Sequence, residues 1–205
     1  MQQFIKHLRA VVHSVWLRMF EMFSDEETNT LEEIAAPDPV YVARKIQVER
    51  WDATLYTSGN ADVRVDSLTG RCLETKEEQL SVWLCKNEKE DVAQIALALA
   101  TNFTLKKDEG MYIVLLRKDV LEKEGFTFDN SEGNSKVADL NSRHFDIVDL
   151  DIPKLLRIAT EITRNVRQDS YLFPFTKREV AEILQRAIED KRVDPKDVKK
   201  ENLKY

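Results

Sequence analysis

The sequence predicts an α+β fold: a mixed sheet of about five to seven strands packed with helices, with helical segments at both ends of the chain. Three observations carry the prediction. Apolar residues recur at i, i+3 and i+4 spacing in several stretches and alternate or run continuously over short stretches elsewhere. Runs of strands precede runs of helices. Only five Gly and five Pro punctuate 205 residues, so regular elements must be joined by short connections.

Residues 4–23 have helical period. Phe4, Leu8, Val11, Val12, Val15, Trp16, Met19 and Phe23 share one face, with Lys6, Arg9, His13 and Arg18 toward the other. Residues 24–39 read as an acidic connector, since Asp25-Glu26-Glu27 is charged and Pro37-Asp38-Pro39 cannot lie inside a helix. The expected organisation is therefore an amphipathic helix and linker over 1–39, followed by a single α+β domain over 40–205.

Within that domain, Val40, Val42, Ile46 and Val48 alternate with polar positions as a strand. A continuation over 51–56 and a short strand at Val63–Val65 follow, separated by turns at Ser58-Gly59-Asn60 and Thr69-Gly70. The runs Leu80–Cys85 and Met111–Leu116 are apolar on both faces and read as central strands. Because helices separate these strands from the one starting near Phe145, a partly parallel sheet is expected. Residues 87–104 predict a helix with Asn87 as its cap and Phe103 on its inner face. A short helix over 118–124 ends at Gly125, and 129–135 reads as a surface loop. Asp151 caps a helix with Pro153 in its first turn, and its buried face includes Leu155, Leu156, Ala159 and Ile162. Tyr171–Phe175 reads as an apolar non-helical plug. Thr176 and Glu179 form a capping box that opens a helix, and Asp194-Pro195 starts a short last one.

The net charge of −6 argues against broad binding of a phosphate backbone, which needs a positive field. Nucleic acid is thus an expected partner only through a local patch. The basic positions from Arg157 to Arg192, interleaved with Tyr171, Phe173 and Phe175, offer one. Acidic residues are mixed through the same stretch, and a pair of salt-bridged, solvated helices explains it equally well. Cys72 and Cys85 belong to no CxxC pair, and three His are too few for a His-rich site, so no metal and no cofactor is expected. Two unpaired cysteines fit a reducing cytoplasm, and no apolar run reaches the ~20 residues a membrane span needs.

Four sets of residues could carry function. Asp66 with Glu74-Thr75-Lys76 resembles the carboxylate and [Asp/Glu]-x-Lys spacing of a metal-dependent nuclease or phosphodiesterase. In such a site the acids hold Mg²⁺ and the lysine polarises water. The same tripeptide pattern also starts at 189, 194 and 197, as a chain that is 33% charged produces freely. His144, close in sequence to Asp146 and Asp149, suits a general base or an ordinary hydrogen-bonded strand-edge histidine. Cys72 beside Arg71 suits a nucleophile only if a histidine joins it. Phe4, Trp16, Phe20 and Phe23 offer an apolar contact face for a partner's groove, a second copy or a membrane surface, although packing on the chain's own body explains them too. With no Gly-rich phosphate loop present, the expected function is a non-catalytic protein-interaction factor of accessory, inhibitor or immunity type. It would act on a protein partner or by self-association, with the metal-dependent nuclease as the alternative.

Overall fold

Strand β1, Tyr41–Ile46, sits near the middle of a six-stranded sheet in the computed structural model, which describes residues 39–51, 72–106 and 110–204. The expected first helix with Phe4, Trp16, Phe20 and Phe23, the linker, the strands at 52–56 and 63–65, and Asp66 lie outside the described residues.

The other strands are β2 (Leu80–Cys85), β3 (Met111–Arg117), β4 (Thr127–Asp129), β5 (His144–Val148) and β6 (Leu172–Phe175). They are arranged β4-β5-β2-β1-β3-β6. The α+β class and the strand number are as the sequence predicts, but the partly parallel pairing is not formed. Every neighbouring pair is antiparallel. The reason is a crossover. Helix α1 (Lys89–Asn102) joins β2 to β3, two strands that point the same way. β1 lies between them, antiparallel to both. Helix α2 (Lys118–Lys123) follows β3 directly, and helix α3 (Ile152–Asn165) likewise carries the chain from β5 to β6 at the far edge.

Strand alternation then divides the core in two. Tyr41, Ala43, Trp83, Cys85, Met111, Ile113 and Leu115 point to one face, where α1 and α4 (Lys177–Glu189) pack. Val42, Ile46, Leu80, Val82, Val114, Leu116 and Ile147 point to the other, where α3 brings Ile158, Ala159 and Ile162. Helix α1 is buried on more than one side, with Val92, Ile95, Ala96, Leu97, Ala98, Leu99 and Ala100 all inside, because the sheet and α4 enclose it. Leu156, expected inward on α3, is 46% exposed. Among the described residues no helix is long and apolar enough to cross a membrane.

The helix ends follow local chemistry. Asp151 accepts from the Lys154 N–H, and Thr176 and Glu179 complete their capping box. Asn87 does not cap α1: the N-cap is Glu88, without a side-chain bond. The start of α1 is held by Asp91, which accepts the Lys86 N–H at 2.7 Å and both contacts from Arg143 Nη2, at 2.6 and 2.7 Å. At its other end Phe103 has left the helix, is 44% exposed, and lies beneath the Lys45 ammonium at 4.4 Å. The expected plug at Tyr171–Phe175 is instead the edge strand β6, whose Pro174 is tolerated because an edge strand can forgo one ladder donor. The C-terminal segment is anchored by fully buried Asn202, which donates to the Ala100 and Phe103 carbonyls and accepts from the Leu105 N–H.

Before β2 the chain turns through Lys76-Glu77-Glu78-Gln79. Lys76 and Gln79 exchange two backbone hydrogen bonds, and Glu77 and Glu78 both have positive φ, 54° and 61°. This two-residue hairpin needs the left-handed region at both central positions, where side chains other than Gly and Asn are strained. Replacing Glu77-Glu78 by Asn-Gly is expected to stabilise the fold by about 1–2 kcal/mol, read as a higher urea midpoint with unchanged slope. An unchanged or lower midpoint would contradict the turn.

Burial opposes ionisation of Asp91, yet the bonds from Arg143 and Lys86 prevail and hold its carboxyl below the usual range. Its folded pKa is depressed, so the stabilisation is present above the unfolded value of ~3.9 and fades as pH falls through the folded one. Asp91→Asn should therefore lower stability near neutrality and flatten its loss in acid, checked by thermal unfolding from neutral to acidic pH.

Candidate functional site

The β1–β2 ladder stops early. Tyr41, Val42 and Ala43 pair with Cys85, Leu84 and Trp83, whereas all six residues of β1 pair with β3. Beyond Ala43 the strands part, and a cleft of about 550 Å³ opens there. Its walls include Ala43, Lys45 and Gln47 from the β1 segment, Ser81 and Trp83 from β2, and His144 from β5. The C-terminal end of α1 adds Leu99, Asn102 and Phe103.

Arg44 sits in this opening. Its Nε donates to the Cys72 carbonyl at 2.9 Å and its Nη1 to the Ser81 carbonyl at 2.5 Å. The guanidinium thus takes carbonyls that β1 would otherwise have left without a strand partner. Burial pushes Arg44 down to about 10, with Cys72, Asp146 and Glu74 acting in the opposite direction, so it remains a cation at neutral pH. Among the described residues no carboxylate lies within ion-pair distance of it. Its mark in the sequence is visible: in Val42-Ala43-Arg44-Lys45-Ile46 an arginine occupies the buried side of an alternating strand.

A chain of hydrogen bonds runs along one wall. In the register Trp83 faces His144 and Ser81 faces Asp146. Asp146 accepts from the Ser81 hydroxyl at 2.8 Å through Oδ1 and from the Ser131 hydroxyl at 2.5 Å through Oδ2. His144 Nδ1 is 2.9 Å from both the Ser131 hydroxyl and its carbonyl. With the Ser131 hydroxyl donating to Asp146, this bonding assigns a proton to Nδ1. The His144 ring meets Trp83 edge-on, with centroids 5.0 Å apart and planes at 77°.

The segment expected as a surface loop is partly built into this wall. Gly133 lies against Trp83, and Ser135 is buried and bonded to Asn141. Asn102 on α1 donates to Asn134 at 3.1 Å, latching the helix end to the loop.

Of the expected site residues, His144 and Cys72 both line the cleft. Cys72 is buried, and its Sγ accepts the Gln47 N–H at 3.0 Å. Cys85 is also buried, and its thiol is pushed up to about 12 by burial, with Asp91 acting in the same direction. Glu74 is exposed, and Lys76 stands at the hairpin with its side chain 91% exposed beside Glu77. The described residues therefore do not bring Lys76 into the cleft, and no group of three His, Cys, Asp or Glu among them is placed to hold a metal ion. The basic stretch from Arg157 to Arg192 is divided between helices on opposite faces of the sheet. Arg157, Arg164, Arg178 and Arg192 pair there with Glu124 and Glu161, Glu161, Glu182 and Asp139.

No protein-family model matches the chain, no curated protein matches it, and no solved structure matches it.

A methyl group at Gly133 would lie 2.9 Å from Trp83 Cη2 and 3.0 Å from His144 Cβ. Gly133→Ala should thus cost about 1–3 kcal/mol as an overpacking change and displace the Trp83 ring. Urea unfolding and the Trp83 indole resonance measure the two effects; a silent substitution would show that the loop does not press on the cleft wall.

Proposed function

We propose that the protein acts by binding a partner protein, as an accessory, inhibitory or immunity-type factor, and that the cleft between the ends of β1 and β2 belongs to its contact surface. The observation that supports this reading is the charge of the lining. Arg44, Lys45 and Lys106 line the cleft, and among the described lining residues there is no carboxylate. In a chain of net charge −6 this is a local reversal of sign, and such reversals attract and orient a complementary acidic surface. Holding Mg²⁺ requires the opposite lining. The aromatic face of residues 4–23, with Phe4, Trp16, Phe20 and Phe23, supplies a second, apolar contact under the same reading.

The test is affinity purification of the tagged full-length protein from its native cell, alongside Lys106→Glu and a deletion of residues 1–24. A stoichiometric protein partner that the charge reversal and the deletion each weaken is expected. Capture unchanged by both variants would remove this reading. Incubation of the parent protein and Lys76→Ala with Mg²⁺ and DNA or RNA should show no cleavage by either; cleavage lost only in Lys76→Ala would replace the binding reading with the nuclease.

A further inference from the structure

We infer that the β1–β2 cleft is a binding site for an organic oxyanion, a carboxylate or phosphate group carried on a flat apolar body. The inference rests on the reading of the cleft as a contact surface and adds the chemistry that it recognises.

Arg44 anchors the anion. Two of the five N–H donors of a guanidinium are taken by the Cys72 and Ser81 carbonyls. These two bonds fix the plane of the group; no described carboxylate is within ion-pair distance of it, and Asp146 and Glu74 act on its charge from further away. A fixed, planar guanidinium without a close ion-pair partner suits a carboxylate or phosphate better than a mobile ammonium does. Lys45 is positioned over the Phe103 ring, and Lys106 stands on the same rim. His144, held through Nδ1, stands on the same lining.

The body of the ligand has matching walls. Trp83, Phe103 and Leu99 contribute aromatic and aliphatic surface, and Gln47, Asn102 and Asn134 contribute neutral polar groups. The volume of about 550 Å³ lies in the usual range for small-ligand clefts, roughly 300–1,000 Å³.

Two features oppose an anion, and hydrogen bonds offset each in part. The C-terminal end of α1 turns its carbonyls toward this region. The Leu99 carbonyl is taken by the Phe103 N–H, and those of Ala100 and Phe103 by Asn202. The Asp146 carboxylate is not part of the described lining, and each of its oxygens already accepts a hydroxyl proton, from Ser81 and from Ser131. An extended polyanion is a poorer occupant, since Arg157 and Arg164 of α3 and Arg178 of α4 are engaged in ion pairs on opposite faces of the sheet.

The experiment is a titration of the ¹⁵N-labelled full-length protein, at constant ionic strength, followed through the Trp83 indole and the cleft amides. The probes are sodium benzoate, benzamide as its uncharged counterpart, inorganic phosphate, and a capped glutamate-rich peptide. Benzoate should give saturable shifts centred on Trp83, Ala43 and Asn134 that benzamide does not reproduce. Its affinity should fall roughly tenfold in Lys106→Gln and in Arg44→Lys. Lys106→Gln keeps the test decisive if Arg44→Lys fails to fold, because Arg44 also ties Cys72 to Ser81. Shifts with both peptide and benzoate support the inference and assign the anion to an acidic partner protein. Shifts with benzoate alone support it and assign a small free anion. Binding of phosphate alone would overturn the requirement for a flat body. Equal response to benzamide, or no saturable shift with any anion, would overturn the site, while partner capture would still decide the binding reading by itself.

Discussion

Pairing of β1 is unequal, and most of the described structure follows from that inequality. All six residues of β1 pair with β3 in register, but only Tyr41, Val42 and Ala43 pair with β2. A strand in the middle of a sheet cannot leave its backbone groups unpaired without compensation. Where the strands part, Arg44 donates to the Ser81 carbonyl of β2 and to the Cys72 carbonyl, and Cys72 Sγ accepts the Gln47 N–H. The same parting of strands that calls for an arginine creates the cleft around it. A cation inside the fold and a concave surface beside it are consequences of a single feature of the ladder.

The antiparallel arrangement makes the rest of the site possible. With β1 inserted between β2 and β3, the crossover helix α1 lies over Tyr41, Ala43, Trp83 and Cys85 on one face, and its C-terminal end stops beside the opening. β5 on the far side of β2 sets His144 opposite Trp83 and Asp146 opposite Ser81. Ser131 then links the acid to the histidine from outside the sheet. Each of these side chains is held by a partner on another element, so the wall is fixed by tertiary contacts.

Much of this was legible from residue patterns. Leu80–Cys85 and Met111–Arg117 occupy interior positions of the sheet, as continuous apolar runs imply. The Asp151 cap and the Thr176–Glu179 box formed because a cap needs only its own three or four residues. Where the reading failed, a distant partner had overridden a local preference. Tyr171–Phe175 acquired strand geometry by pairing with β3, and at α1 Glu88 rather than Asn87 stands at the N-cap. The segment after β4, rich in Asn, Ser and Gly, looked like solvent-exposed loop, yet Gly133 and Ser135 are packed against the wall.

Periodicity, capping and turn residues are short-range properties, and by themselves they determined that this chain makes helices and strands of an α+β fold and roughly where each begins. Strand order and direction, the gap beside Ala43, and the meeting of Arg44, Lys45, Lys106, Trp83 and His144 at one cleft were decided only by the tertiary structure. Those side chains come from elements up to a hundred residues apart, and their convergence depends on sheet register, which a sequence period of two constrains in facing but not in partner. Arg44 lies at the boundary between these two kinds of information: its misfit on the buried side of a strand is local, while the carbonyls that receive it are not.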